Sequence, residues 1–303
     1  MTNRFIGCRR LPTALFFILY SLFFRPKAAI LYSLGRRPSS LFFRPKAAIL
    51  YSLFFSPAGA LAQTDVTTTY QIGVGRTNVL DTYLSQEKFK GTGATFLGTV
   101  ERREPGNRWS WLIEHEVNFA SVDDRTETVK ELQGDYTLLL GRYYQWNFGR
   151  WDVQAGGMGT MNLGFIYNTS NSNNPAQGRL SLNVMPSGSL SYHFPVWHRP
   201  WKVSYKVELP LVGVMFSPNY GQSYYEIFSL GQYDHNIVPT TFISTPNLRH
   251  QLMVDCAVSS RLTLRIGYLG NYQQADVNNL KSHIYSHRVM VGIVRNFTIS
   301  KRP

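Results

Sequence analysis

Between Trp201 and Leu211 apolar side chains fall on every second position. Trp201, Val203, Tyr205, Val207, Leu209 and Leu211 alternate with Lys202, Ser204, Lys206, Glu208 and Pro210. Side chains of an extended strand point alternately to its two faces, so this stretch is a long strand with one apolar and one polar side. Two more runs repeat it. Arg179–Phe194 places Leu180, Leu182, Val184, Leu190, Tyr192 and Phe194 opposite Ser181, Asn183, Ser187, Ser189, Ser191 and His193. Trp109–Phe119 places Trp109, Trp111, Ile113, Val117 and Phe119 opposite Ser110, Glu114, Glu116 and Asn118. After Gln63 no long stretch shows helical spacing, so the chain is read as all-β. Alternating segments of about ten residues are the signature of transmembrane barrels. A soluble sandwich with the apolar face inward would give the same pattern, so alternation leaves both open.

The connections favour the barrel. Strands are expected near 66–77, 91–103, 108–121, 132–147, 150–165, 178–194, 200–216, 247–258, 261–273 and 284–298. The joins then alternate between short (Glu104–Asn107, Phe148-Gly149, Pro195–Arg199, Ser259-Ser260) and long and polar (Asn78–Lys90, Val122–Glu131, Ile166–Gln177, Ser217–Pro246, Gln274–His283). Outer-membrane barrels pair short periplasmic turns with longer external loops. All six tryptophans (Trp109, Trp111, Trp146, Trp151, Trp197 and Trp201) lie in or beside the short turns. Indole rings favour the headgroup level, so the six are expected to form a periplasmic-side aromatic girdle. The expected fold is a transmembrane antiparallel up-and-down β-barrel of about 10 strands, 12 if Ser223–Gly231 and Ile237–Ile243 form a further hairpin.

The formal net charge of +13 does not mark a nucleic-acid binder. Residues 1–62 hold nine Lys and Arg and no acid, which leaves only +4 on residues 63–303. The basic stretch reads as a leader. Arg44-Pro45-Lys46 precedes the apolar run Ala47–Phe55, and Ala60-Leu61-Ala62 supplies a small–x–small site, with cleavage expected between Ala62 and Gln63. The apolar run is shorter than the roughly 20 residues that span a bilayer. Ser21–Leu34 recurs letter for letter at Ser40–Leu53, which reads as a duplicated leader, or a start placed too early, rather than a stacking repeat. The domain division is therefore 1–62, the signal-peptide region, and 63–303, the barrel. One cysteine, Cys256, remains beyond the leader, so no internal disulfide is expected there.

Three stretches carry a resemblance: Val79–Ser85 (VLDTYLS), Phe216–Phe228 (FSPNYGQSYYEIF) and Val291–Phe297 (VGIVRNF). With the leader, they resemble an uncharacterised outer-membrane β-barrel family, a domain of unknown function, of Bacteroidetes-type bacteria. The resemblance implies location and architecture and assigns no chemistry. The last strand, ending at Phe297, also resembles the signal by which the barrel-assembly machinery identifies its clients. Thr298–Pro303 and Arg295 depart from its usual form.

Candidate functional residues follow from parity. Glu114, Glu116, Lys202, Lys206, Glu208, Asp255 and Arg265 share the polar faces of their strands, and are expected to form an internal salt-bridge network, or the lining of a narrow porin-like path for small solutes. Asp123-Asp124 and Asp234-His235 in outer loops loosely resemble the acid and Asp–His pairs of omptin surface proteases. Ser191 with His193, or Ser286 with His287, is the nearest approach to a lipid-hydrolase nucleophile. The loop 217–246 is rich in aromatics and is the candidate plug or surface for a small solute or other ligand. No catalytic residue, cofactor or metal ligand is assigned. The expected partners are outer-membrane lipid, lipopolysaccharide and the assembly machinery, with no nucleic acid.

Overall fold

The computed structural model describes residues 64–171 and 174–299. The leader and the Ala62–Gln63 junction lie outside the described residues. Twelve antiparallel strands follow: β1 (Thr64–Asp81), β2 (Ser85–Arg103), β3 (Trp109–Asp123), β4 (Lys130–Phe148), β5 (Trp151–Asn168), β6 (Ala176–Val196), β7 (Arg199–Glu208), β8 (Val212–Phe216), β9 (Ile237–Thr241), β10 (Leu248–Ala257), β11 (Leu262–Val277) and β12 (Leu280–Ile299). One short helix, α1 (Tyr224–Phe228), lies between β8 and β9.

Ten strands close into a ring. Consecutive strands pair from β1 to β7, β7 pairs with β10, and β10, β11 and β12 lead back to β1. The register fixes the stagger of the closure. From Phe119 the partners run through Ala94, Val74, Val289, Tyr268, Leu252, Tyr205, Leu190 and Val153 to Trp146 on β4. Phe119 pairs on its other side with Gly134 of the same strand, so one circuit climbs twelve residues, from 134 to 146. Ten strands with that stagger tilt about 40° from the axis and leave an interior that side chains can fill.

The remaining two strands extend one hairpin of the wall. Pro210 has no N–H to give, and β7 ends before it. The chain stays against β6 through Leu209 N–H to the Pro186 carbonyl at 3.2 Å and Leu211 N–H to Val184 at 3.1 Å, then resumes as β8 beside Leu180–Val184. β9 pairs with β8, and residues 242–247 interrupt the returning arm before β10. The expected hairpin in the 217–246 loop is thus half present. Its second arm is β9, whereas Ser223–Gly231 holds α1 instead of a strand.

Ring closure puts the apolar face of the alternation outside. Ile72, Phe119, Val184 and Val289 are each about three-fifths exposed, while their strand neighbours point inward. A sandwich would bury such residues between sheets. Inside, the apolar side chains form three groups. Leu97, Met253, Leu269 and Met290 make one, and Leu112, Leu139, Tyr143, Met158 and Met185 another. A third, of Val79, Leu84, Phe89, Val122, Ile166 and Ile284, closes the end where the longer loops lie.

The strict alternation of short and long joins does not hold. The segments 78–90 and 274–283 are mostly strand, joined by the turns Thr82–Leu84 and Asn278-Asn279. Both asparagines have positive φ (54° and 60°), as a tight two-residue hairpin requires. The 20-residue connection from Ser217 to Asn236 is folded down. Ser223 and Glu226 form a reciprocal cap on α1. The Tyr224 hydroxyl donates to Gln177 Oε1 (3.0 Å) and accepts from Gly178 N–H (2.6 Å), tying α1 to the start of β6. Burial raises the Tyr224 hydroxyl pKa well above its ordinary value.

Candidate functional site: a charged layer across the lumen

The strands bring five inward charges together at one level. Glu114 and Glu116 come from β3, Lys206 and Glu208 from β7, and Arg249 from β10. Arg249 reaches across the lumen. Its Nε donates to Glu116 Oε2 at 2.8 Å, its Nη2 to Glu114 Oε1 at 2.5 Å, and its Nη1 to Glu208. Lys206 Nζ lies 2.5 Å from Glu208 Oε1 and 3.7 Å from Glu114 Oε2. Glu116 also accepts from the Asn118 and Asn271 amides at 2.8 and 3.2 Å, and Glu114 from the Thr99 hydroxyl at 3.1 Å. All three glutamates and Arg249 are buried. Buried charges of both signs are tolerated when each meets opposite charge and hydrogen bonds, as here.

The layer divides the interior. Below it, toward the short turns, a cavity of about 480 Å³ is lined by Glu114, Lys206, Thr67, Asp152, His193 and Lys202 among others. Above it, about 90 Å³ is bordered by Glu116, Arg249, Arg179 and Asn271. Each chamber sees a different pair of the clamp. Higher still, Arg288 is buried in a cradle of neutral oxygens. It donates to Thr95 Oγ1 (3.1 Å), Thr77 Oγ1 (2.7 Å) and the Arg76 carbonyl (2.7 Å). Gly93 makes room for it, because a Cβ there would lie 2.4 Å from Arg288 Nη2.

The parity-selected residues therefore divide in two. Glu114, Glu116, Lys206 and Glu208 converge on Arg249, whereas Asp255, Arg265 and Lys202 form a separate group in the lower chamber. There Arg265 holds Asp255 with two bonds (2.6 and 2.8 Å), and Lys202 stands 3.3 Å away. Arg249 was missed. It has the inward parity of Asp255 on the same strand, but it sits beside the long loop, where the alternation is hardest to read. Arg288, on the polar side of the last strand, was missed likewise.

The enzyme candidates do not assemble. Asp123 faces Lys130 (3.6 Å). Asp124 folds its own loop, accepting from Thr126 Oγ1, Thr128 N–H and Val129 N–H; the Thr126 hydroxyl and the loop amides hold its pKa down at about 2. Among the described residues no hydrogen bond or ion pair joins this pair to Asp234 or His235, whose carbonyls serve Asn219 and Asn278. His193 Nε2 meets Asp152 Oδ2 at 2.7 Å in the lower chamber that Ser191 also lines. Ser286 faces inward while His287 stands outside against Tyr268 (2.5 Å). Among the described residues no three His, Cys, Asp or Glu side chains group as metal ligands.

The tryptophans sit at the short-turn end. On their strands Trp109, Trp111, Trp146, Trp151 and Trp201 share the outward parity, Trp201 also bordering the lower chamber, and Trp197 occupies the β6–β7 turn at φ 47°. Trp109 packs edge-on against Tyr144, and Trp151 packs tilted against Tyr192.

None of the curated proteins matches the chain in sequence. Among solved structures it is similar to the neisserial surface protein NspA (10% identity, 77% of this chain and 97% of that one, TM-score 0.31). It is also similar to the outer membrane protease OmpT of Escherichia coli (8%, 80% and 99%, TM-score 0.40) and to the transport unit of the autotransporter AIDA-I of Escherichia coli (8%, 84% and 96%, TM-score 0.43). A family model described as a protein of unknown function matches residues 39–302, beginning one residue before the second leader copy. With that match spanning the whole barrel, the chain belongs to the DUF3316 family of proteins of unknown function.

Proposed function

We propose that this protein is an outer-membrane barrel with a closed lumen, serving a structural or binding role at the cell surface. The single observation that carries this reading is the Arg249 clamp. It joins β10 to β3 and β7, and the chambers on its two sides have no lining residue in common, Glu114 and Lys206 bordering the lower and Glu116 and Arg249 the upper. A solute following the axis would meet that layer and then the apolar cap of Val79, Phe89, Val122 and Ile166. Insertion in a membrane is supported by the outward band of Ile72, Phe119, Val184, Ile266 and Val289, which in water would be an exposed apolar surface far beyond the ordinary patch. The five outward tryptophans at one end would then form the girdle at the periplasmic headgroups, with the mature chain starting at Gln63. Lipid, lipopolysaccharide and the barrel-assembly machinery are the partners such a protein would meet.

The surface available to a ligand is the connection around α1. Tyr220, Tyr225, Phe228 and Tyr233 are largely exposed, although the segment is held in place by its cap and by Tyr224. An ordered loop that presents aromatic side chains suits a sugar or another protein. Two measurements test the proposal. The protein should fractionate with the outer membrane and migrate faster on a gel unheated than boiled, and proteoliposomes should swell in a small sugar no faster than protein-free ones. Recovery in a soluble fraction, or rapid swelling, would overturn it.

A further inference from the structure

On the outer wall at the short-turn end, the register aligns Arg102 of β2, Trp111 of β3 and Arg142 of β4 in one row, with Trp109 and Tyr144 paired just below. Arg102 and Arg142 are exposed, and their parity is opposite to that of Glu101 and Tyr143, which line the lower chamber. The Arg142 guanidinium carbon lies 4.9 Å from the Trp109 ring centroid and 5.2 Å from that of Trp111. Arg108 leads into β3 and donates from Nη1 to the Tyr144 hydroxyl at 3.3 Å. Among the described residues none of these three arginines has a carboxylate within salt-bridge distance. The nearby acid Glu104 accepts from Asn107 instead, at 3.5 Å.

Three guanidiniums without an internal counter-charge, one of them over two indole rings, form an incomplete arrangement at the level where the apolar wall ends. The planar fork of arginine matches phosphate oxygens, and indoles prefer the headgroup region. We propose that Arg102, Arg108 and Arg142, with Trp109 and Trp111 as the stacking floor, dock the phosphate of an anionic phospholipid in the leaflet at the short-turn end. The proposal rests on the membrane reading given above. Stacking on Trp109 and Trp111 holds Arg142 pointing along the wall, where a headgroup would lie. Its cost falls because the ring faces replace water on one side of the guanidinium.

The test uses the full chain expressed in a Gram-negative host, purified from the outer-membrane fraction and reconstituted in phosphatidylcholine vesicles with or without phosphatidylglycerol. Bromine on the acyl chains of either lipid quenches tryptophan fluorescence on contact. Wild-type protein should be quenched preferentially by brominated phosphatidylglycerol. In the double variant Arg102→Gln and Arg142→Gln that preference should fall about fivefold for each arginine removed, while heat-modifiable migration stays unchanged. Equal quenching by both lipids in an inserted wild-type barrel would overturn the site and leave the barrel reading standing. Failure to insert into either vesicle would overturn the membrane reading and the site with it. Should the double variant misfold, Arg142→Lys serves in its place. It retains the charge but loses the planar fork and stack, so it should lower the preference part-way, and an unchanged preference would overturn the role given to Arg142.

Discussion

Replacing Arg249 by methionine keeps much of the side-chain volume and removes the charge that three glutamates share. Glu208 would keep Lys206 at 2.5 Å, and Glu114 would keep the same lysine at 3.7 Å and Thr99 at 3.1 Å. Glu116 would be left with two amides, from Asn118 and Asn271, and no cation. Removing one member of a buried ion cluster typically costs about 3–5 kcal/mol, because the stranded partner is desolvated without compensation. Arg249→Met should therefore destabilise the barrel by about that amount. Adding Glu116→Gln, which abolishes the stranded charge, should recover more than about 1 kcal/mol of it. Urea unfolding in phospholipid vesicles, followed by tryptophan fluorescence and checked by gel migration, measures both. If Arg249→Met costs less than about 1 kcal/mol, the lumen is wet enough to hydrate Glu116, and the view of the layer as a dry barrier fails.

Three smaller expectations follow from the same contacts. Gly93→Val should destabilise the barrel by about 1–3 kcal/mol, since its Cβ would press on Arg288 and on the Phe119 carbonyl 2.7 Å away; urea titration checks it. Asp124 is held below its ordinary value of 3.8, at about 2, so its stabilisation of the β3–β4 loop is complete above pH 4 and is lost as the pH falls toward 2. Faster amide exchange at Thr128 and Val129 over that interval, absent in Asp124→Asn, is the expected readout. Tyr224→Phe removes the hydroxyl that anchors α1 to Gln177 and Gly178, a loss of about 1–3 kcal/mol to the loop. Protease added to intact cells should then cleave within residues 217–236 faster than in wild type.

The parts of this architecture legible in the sequence were those where one face meets an apolar surrounding. There Trp201–Leu211 alternates without a break and Trp109–Phe119 with only Leu112 and His115 out of phase, and Glu114, Glu116, Lys206 and Glu208 could be placed inside by parity. Beyond the apolar band the outer face of a strand meets water and only scattered inward residues such as Val79 and Phe89 are apolar, so alternation carries little information. Asn78–Asp81 and Ser85–Lys90 are strand, yet their composition is that of a loop. The same loss hid Arg249, which stands one residue into β10 after the irregular segment 242–247. Helix α1 is too short for periodicity, and only the Ser223-x-x-Glu226 cap signalled it. Pro210 carried the signal for a break, yet the alternation runs through it, so 200–216 read as one strand where the chain makes β7 and β8. What no single strand could show was the closure. Which inward charges meet depends on the twelve-residue stagger around the ring, and that is a property of all ten strands together.

The closed lumen is tested most directly by electrical recording across a planar lipid bilayer containing the purified barrel. With the Arg249 layer and the apolar cap in place, insertion should give no steady ohmic current in any salt or at either polarity. Stepwise, long-lived conductance from the wild-type protein would contradict the account, and would mean that ions pass the layer of Glu114, Glu116, Lys206, Glu208 and Arg249.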